Sequence, residues 1–177
     1  NASLPRMFRG GSVTYPWIGT VVHRVRDGLE VLYVVPGAPA HRAGIEQGDI
    51  LESVADRSVG SVERAQAVLM DLVPGTLVPV TWRRGDSTYR GSLALAERPP
   101  LPMDVAVERD AKMHLIPPLF GMNLELTSKS VLGNTYTVTR VIPGGVADES
   151  GISRMDPIRV GGLEIDTEER IALLRSE

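Results

Sequence analysis

The sequence contains no cysteine and only two lysines, and aromatic residues make up 5% of its 177 positions. Without thiols there is no disulfide framework, no thiolate metal site and no cysteine nucleophile. His23, His41 and His114 fall in a predicted strand, a short helix and a connector, without the paired spacing of a zinc site. Asp110 and His114, four residues apart, form a lone pair, so no metal and no other cofactor is expected. The formal net charge is -3 and no block of basic residues occurs, which removes the electrostatic footprint of a nucleic-acid binder. No uncharged run approaches the roughly 20 residues that a membrane helix needs. There is no Gly-x-Ser-x-Gly or Gly-x-Ser-Gly-Gly run to present a nucleophile. Lys112 and Lys129 are too isolated for a Ser-Lys dyad, although Ser128 and Ser130 flank the second. Starting at Asn1-Ala2 without Met, the chain is expected to be a piece of a longer protein.

What the sequence does contain is a repeat. Pro16-Trp17-Ile18-Gly19-Thr20 sets an aromatic and an aliphatic residue before a glycine and then opens an apolar alternation through Val22. A glycine there lets successive N–H groups point into one concavity, a nest that attracts anions such as a carboxylate. Thr20, Val21, Val22 and His23 read as a strand that can pair with a peptide backbone. Leu119-Phe120-Gly121-Met122 repeats the pattern, with Asn123, Leu124, Glu125 and Leu126 alternating behind it. Farther on, residues 35–45 match residues 142–152 at a constant offset of 107, both carrying Pro-Gly and ending in Gly-Ile, and Asp49 answers Asp156. Val62, Gln66 and Leu69 are set against Thr167, Ile171 and Leu174. Self-similarity of this length is a tandem of one unit.

In the first unit, residues 18–26 and 29–35 predict a hairpin turning at Asp27-Gly28, a pair suited to a type I′ turn. Pro36-Gly37 ends the second strand, and a short helix follows before Gly44. Residues 50–54 predict a strand, with Asp49 placed to accept loop N–H groups. Ser61 is a good N-cap for a helix over residues 62–72, stopped by Pro74-Gly75. Val62, Gln66 and Leu69 share one face of it. Val78, Val80 and Trp82, then Tyr89, Leu93 and Leu95, alternate on either side of Arg84-Gly85-Asp86 and predict a closing hairpin.

Residues 1–13 read as a tail, residues 14–97 as the first unit, the proline-bracketed stretch 98–118 as a connector and residues 119–177 as the second unit. Val105 and Val107 alternate with polar neighbours and suggest a short strand in the connector. The second unit has a longer first hairpin, 22 positions from Gly121 to Pro143 against 17 from Gly19 to Pro36. Asp166 and Glu169 predict a capping box for its second helix. The chain is expected to stop at that helix, leaving the unit short of its closing hairpin.

These residues resemble PDZ domains of the bacterial type, and the pair is similar to the C-terminal PDZ region of HtrA/Deg-family serine proteases. The fold so implied is α+β: two small, partly open antiparallel sandwiches or barrels, each capped by two helices, the second incomplete. The resemblance implies that N–H groups of Trp17, Ile18, Gly19 and Thr20 hold a ligand's terminal carboxylate. Ile18, Thr20 and Val22 would face Val62, Gln66 and Leu69 across a side-chain pocket. In the second unit the same roles fall on Phe120, Gly121, Met122 and Leu124, opposite Thr167, Ile171 and Leu174. Met155-Asp156-Pro157 departs from Gly48-Asp49-Ile50, and a proline there removes a ladder donor. The implied partners are C-terminal or unfolded polypeptide segments and an upstream protease domain carrying the catalytic residues, with assembly of several copies in the parent. The implied setting is protein quality control in a bacterial periplasm or cell envelope. A PDZ scaffold without a protease, and the PDZ region of a site-2 membrane protease, remain alternatives at this point.

Overall fold

The computed structural model describes residues 14–130, 133–166 and 171–176. It divides into two compact units between Pro102 and Met103. The tail assigned to residues 1–13 lies outside the described residues. No helix among the described residues is long and apolar enough to cross a membrane.

The first unit is built on antiparallel strands: β1 (Pro16–Trp17), β2 (Thr20–Val25), β3 (Gly28–Val34), β4 (Ile50–Val54), β5 (Arg57–Ser58), β6 (Leu77–Arg84), β7 (Ser87–Ala94) and β8 (Ala96–Glu97). The main sheet runs β2-β3-β4-β6-β7 with β5 beside β4, while β1 and β8 pair separately. Val78, Val80 and Trp82 alternate inward along β6, as their period of two requires, and join Leu29, Val31, Leu51 and Leu93 in the core. The β2–β3 loop is centred on Arg26 and Asp27, because Val25 pairs Gly28, so the turn sits one residue earlier than Asp27-Gly28. Gly28 is already in the strand at φ +140, with Ile50 against it. The mirror-image turn lies instead at Ala55 and Asp56, with φ values of +53 and +57, between the paired Val54 and Arg57. Helix α1 (Pro39–Arg42) starts on the proline and stops at Gly44, φ +84. Helix α2 (Val62–Met70) is capped by Ser61, whose hydroxyl accepts from the Arg64 N–H at 3.2 Å.

The second unit begins with helical turns: α3 (Pro102–Arg109), a 3-10 turn (Lys112–Leu115) and α4 (Ile116–Phe120). Most of the expected connector is therefore helix within this unit, and Val105 and Val107 lie on α3, where Pro102 presets the first turn and Ala106 is buried. Four antiparallel strands follow in the order β12-β11-β10-β9: β9 (Met122–Ser128), β10 (Asn134–Val141), β11 (Pro157–Asp166) and β12 (Ile171–Ser176), with helix α5 (Val146–Glu149) after β10. The repeat extends to individual hydrogen bonds. Gly48 N–H donates to Val31 C=O and Met155 N–H to Val138 C=O, each at 2.8 Å. Asp49 accepts from Glu46 N–H at 2.8 Å and Asp156 from Ser153 N–H at 2.7 Å.

It fails in the last segment. The helix expected to carry Thr167, Ile171 and Leu174 is not formed at the two described positions: Ile171 and Leu174 lie on β12, paired with Asp166 and Leu163 of β11. Residues such as Ala172, Leu173 and Leu174 favour helix locally, but the β11 ladder and the burial of Ala172 and Leu174 on the core override that propensity. Asp166 of the expected capping box ends β11, while Glu169 and the groove residue Thr167 lie outside the described residues.

Candidate functional site

Among the described residues strand β2 is an edge: it pairs with β3 on one side and with no strand on the other. Helix α2 faces that open side and leaves a groove of about 570 Å³. Its floor is apolar, formed by Leu29, Leu51, Val54 and Val59. The first-unit residues that the resemblance assigns to a peptide site all line this groove: Trp17, Ile18, Gly19, Thr20 and Val22 on one side, Val62, Gln66 and Leu69 on the other. The i, i+4, i+7 spacing puts the last three on one face of α2, while Val68 turns into the core. Gln66 is the polar group contributed by that face.

The loop between β1 and β2 closes one end. Gly19 has φ +82, and a Cβ there would collide with the Ala38 methyl. Both carbonyls of the loop are occupied: Val35 N–H donates to Gly19 C=O and Ala40 N–H to Ile18 C=O, each at 2.9 Å. The amides are not. Among the described residues neither the Ile18 nor the Gly19 N–H donates a hydrogen bond, although both residues are buried. Both residues line the groove, so these donors are left for an acceptor that enters it. Upstream the loop is held by β1 on β8, with Pro16 opposite Glu97, and by Arg98 N–H donating to Tyr15 C=O at 2.8 Å.

Two side-chain pairs brace the site from behind. Asp49 is fully buried and accepts from Arg84 Nε at 2.8 Å and Arg84 Nη2 at 2.9 Å, while Arg84 Nη2 also donates to Gly44 C=O at 2.8 Å. The Asp49 hydrogen bond holds the Arg84 guanidinium well above its ordinary pKa. Asp49 also accepts from the loop N–H of Glu46 at 2.8 Å, as its place before β4 predicts. Its arginine partner lies 35 positions away and had no local signal. His23, on the predicted strand, bonds Glu30 Oε2 through Nε2 at 3.0 Å across the β2–β3 pair.

The second-unit loop is built differently. Phe120 ends helix α4, Gly121 caps it at φ +70, and the Gly121 N–H donates to Pro117 C=O at 3.0 Å. Met122 is buried at the start of β9 and Leu124 packs on the core. Ile171 and Leu174, expected opposite them on a helix, occupy β12 at the other end of the sheet.

Comparison with known proteins gives the class directly: residues 30–84 match a PDZ domain, and residues 103–176 match the TP0546 family PDZ domain. The chain is a tandem of two PDZ domains. The first match contains Val62, Gln66 and Leu69 but begins after the Trp17 to Val22 segment. The chain is homologous, further, to serine proteases of the HtrA/DegP group. It is 34% identical over 74 residues to a probable periplasmic DegP-like serine endoprotease of Halomonas elongata, covering 42% of this chain and 16% of that protein. Over 97 residues it is 27% identical to the putative serine protease HhoA of Synechocystis sp., covering 44% of this chain and 25% of that protein. In fold it is similar to the solved HtrA-type protease AlgW with decapeptide, with a TM-score of 0.51 at 19% identity over 55% of this chain and 34% of that one. These matches thus span a quarter or less of the curated relatives.

Proposed function

We propose that the first PDZ domain binds the free C-terminus of another polypeptide, which adds as a strand to the open edge of β2. The observation that carries this is the pair of unpartnered amides, Ile18 and Gly19, at the end of an apolar groove beside that edge. A terminal carboxylate is an acceptor of matching charge and size, and main-chain pairing along β2 supplies sequence-independent affinity. The last ligand side chain enters the pocket lined by Ile18, Val22, Val62 and Leu69, and Gln66, being neutral, favours an apolar residue there. A few main-chain hydrogen bonds at about 1 kcal/mol each and one buried side chain, set against association costs of at least about 4 kcal/mol, give micromolar affinity, roughly -8 kcal/mol. Fluorescence polarisation with a library of free C-terminal peptides and their amides tests it: the acids bind, and amidation removes most of the affinity. Equal binding by the amides would sink the proposal.

In its parent protein the pair acts as the regulatory and substrate-recognition part of an HtrA-like serine endopeptidase of the periplasm or cell envelope. The two protease relatives, one named periplasmic, support this reading, and the sequence itself offers no nucleophile elbow. Catalysis is then the work of an upstream domain. Reading the gene upstream of Leu4 decides it, a chymotrypsin-like domain supporting the proposal and a helical or secretion-apparatus segment favouring a scaffold. The second PDZ domain, with its Gly121 amide already bonded and no helix opposite β9 at Ile171 and Leu174, is assigned to packing between subunits rather than ligand capture.

A further inference from the structure

Among the described residues lining the groove of the first unit, Arg98 is the one that carries a charge. Its position is fixed by main chain. Pairing of Pro16 with Glu97 and the bond from Arg98 N–H to Tyr15 C=O at 2.8 Å put it one residue past the β1–β8 clamp. That is the end of the groove where Ile18 and Gly19 lie, their N–H groups unpaired among the described residues, not the far end where β2 runs out at Val25. Among the described residues no carboxylate pairs with the Arg98 guanidinium. The chain is acidic overall, so a single cation in an apolar cleft is not a spill-over from a basic surface.

A cradle of two neutral amides holds an anion through dipoles alone, whereas a guanidinium adds a full charge and a donor fork that matches a carboxylate. We propose that Arg98 is a specificity-determining residue that pairs with the ligand's terminal carboxylate and completes the cradle formed by the Ile18 and Gly19 amides. This rests on the first domain being a C-terminus binder. The same guanidinium chemistry would suit an acidic side chain near the ligand's end, so the test separates the two sources.

The probe is a fluorescein-labelled Gly-Ser-Tyr-Val-Val-Val peptide, used as the free acid, as the C-terminal amide, and as an amide with Glu in place of the penultimate Val. Titrated against the full chain, Arg98→Gln weakens the free acid by about five- to tenfold, leaves the weaker amide unchanged, and loses part of the salt sensitivity of acid binding. Arg98→Lys restores part of the loss, and neither substitution shifts the melting temperature, since the side chain is exposed. An unchanged acid affinity, an equal loss for acid and amide, or a larger loss for the Glu-bearing amide overturns the assignment while leaving the groove a C-terminus binder. Failure of the unsubstituted chain to prefer the acid overturns both.

Discussion

The two loops that open the two units carry the same glycine in the same left-handed conformation, φ +82 at Gly19 and +70 at Gly121, yet their amides have different fates. In both, the glycine carbonyl accepts from the strand behind it, from Val35 N–H at 2.9 Å and from Ile142 N–H at 2.7 Å. What differs is the segment in front. In the first unit β1 pairs with β8, and among the described residues no carbonyl accepts from the Ile18 or Gly19 N–H. In the second unit α4 runs directly into the loop, and Pro117 C=O takes the Gly121 amide. The opposite wall differs in the same sense, a helix across from β2 and, at Ile171 and Leu174, a strand laid on β11. The difference in amide pairing thus follows from the chain preceding the glycine, not from the glycine loop itself.

The sharpest way to break this contrast is to fill both loops. Gly19→Ala forces a positive φ on a residue with a Cβ and drives that atom into Ala38, so peptide binding falls below detection and stability drops by about 2–4 kcal/mol. Gly121→Ala leaves binding intact in polarisation titrations. Any loss of peptide affinity in that second variant would show the two loops to be coupled.

A smaller difference is expected between the paired aspartates. Asp49→Ala strands the Arg84 guanidinium and the Glu46 amide and costs about 2–3 kcal/mol by urea denaturation. Asp156→Ala removes a half-buried acceptor of the Ser153 amide and costs about 1 kcal/mol. Equal losses would mean that Arg84 contributes nothing to the first unit's bracing.

The smallest effect concerns the wall of the groove. Ser61→Ala removes the cap of α2 and costs about 1 kcal/mol. The Glu63 carboxyl in the same turn is held below its ordinary pKa by its own backbone N–H first and by the Ser61 hydroxyl second. Because the folded value is the lower one, its contribution is present above the ordinary carboxylate pKa and is lost as pH falls through the folded value. Melting curves of Glu63→Gln across acid pH should therefore converge on those of the unsubstituted chain at the acid end. A gap that persists there contradicts the assignment.

Much of the first unit was legible because its signals are short in range. Ser61 caps as its side chain dictates, Pro36-Gly37 ends a strand, and the alternation of Val78, Val80 and Trp82 is inward because strand geometry permits nothing else. Legibility failed where a distant partner outvoted a local preference. Val105 and Val107 alternate like a strand but sit on the helix that Pro102 starts, and Ile171 to Ser176 look helical but are claimed by β11. The Asp27-Gly28 pair suited a mirror turn, yet the register of β2 on β3 set the loop one residue earlier.

The amino-acid order alone determined the duplication, the glycines at 19 and 121, the faces of α2 and the absence of thiols or a nucleophile motif, since each follows from residue chemistry at fixed spacing. Tertiary structure decided which glycine loop keeps its amides open, which wall is helix or strand, and that Arg84 and Arg98 reach Asp49 and the groove. Those outcomes depend on pairings between segments tens of residues apart, and no local pattern encodes whether a hydrogen-bond donor will find its acceptor inside the chain or outside it.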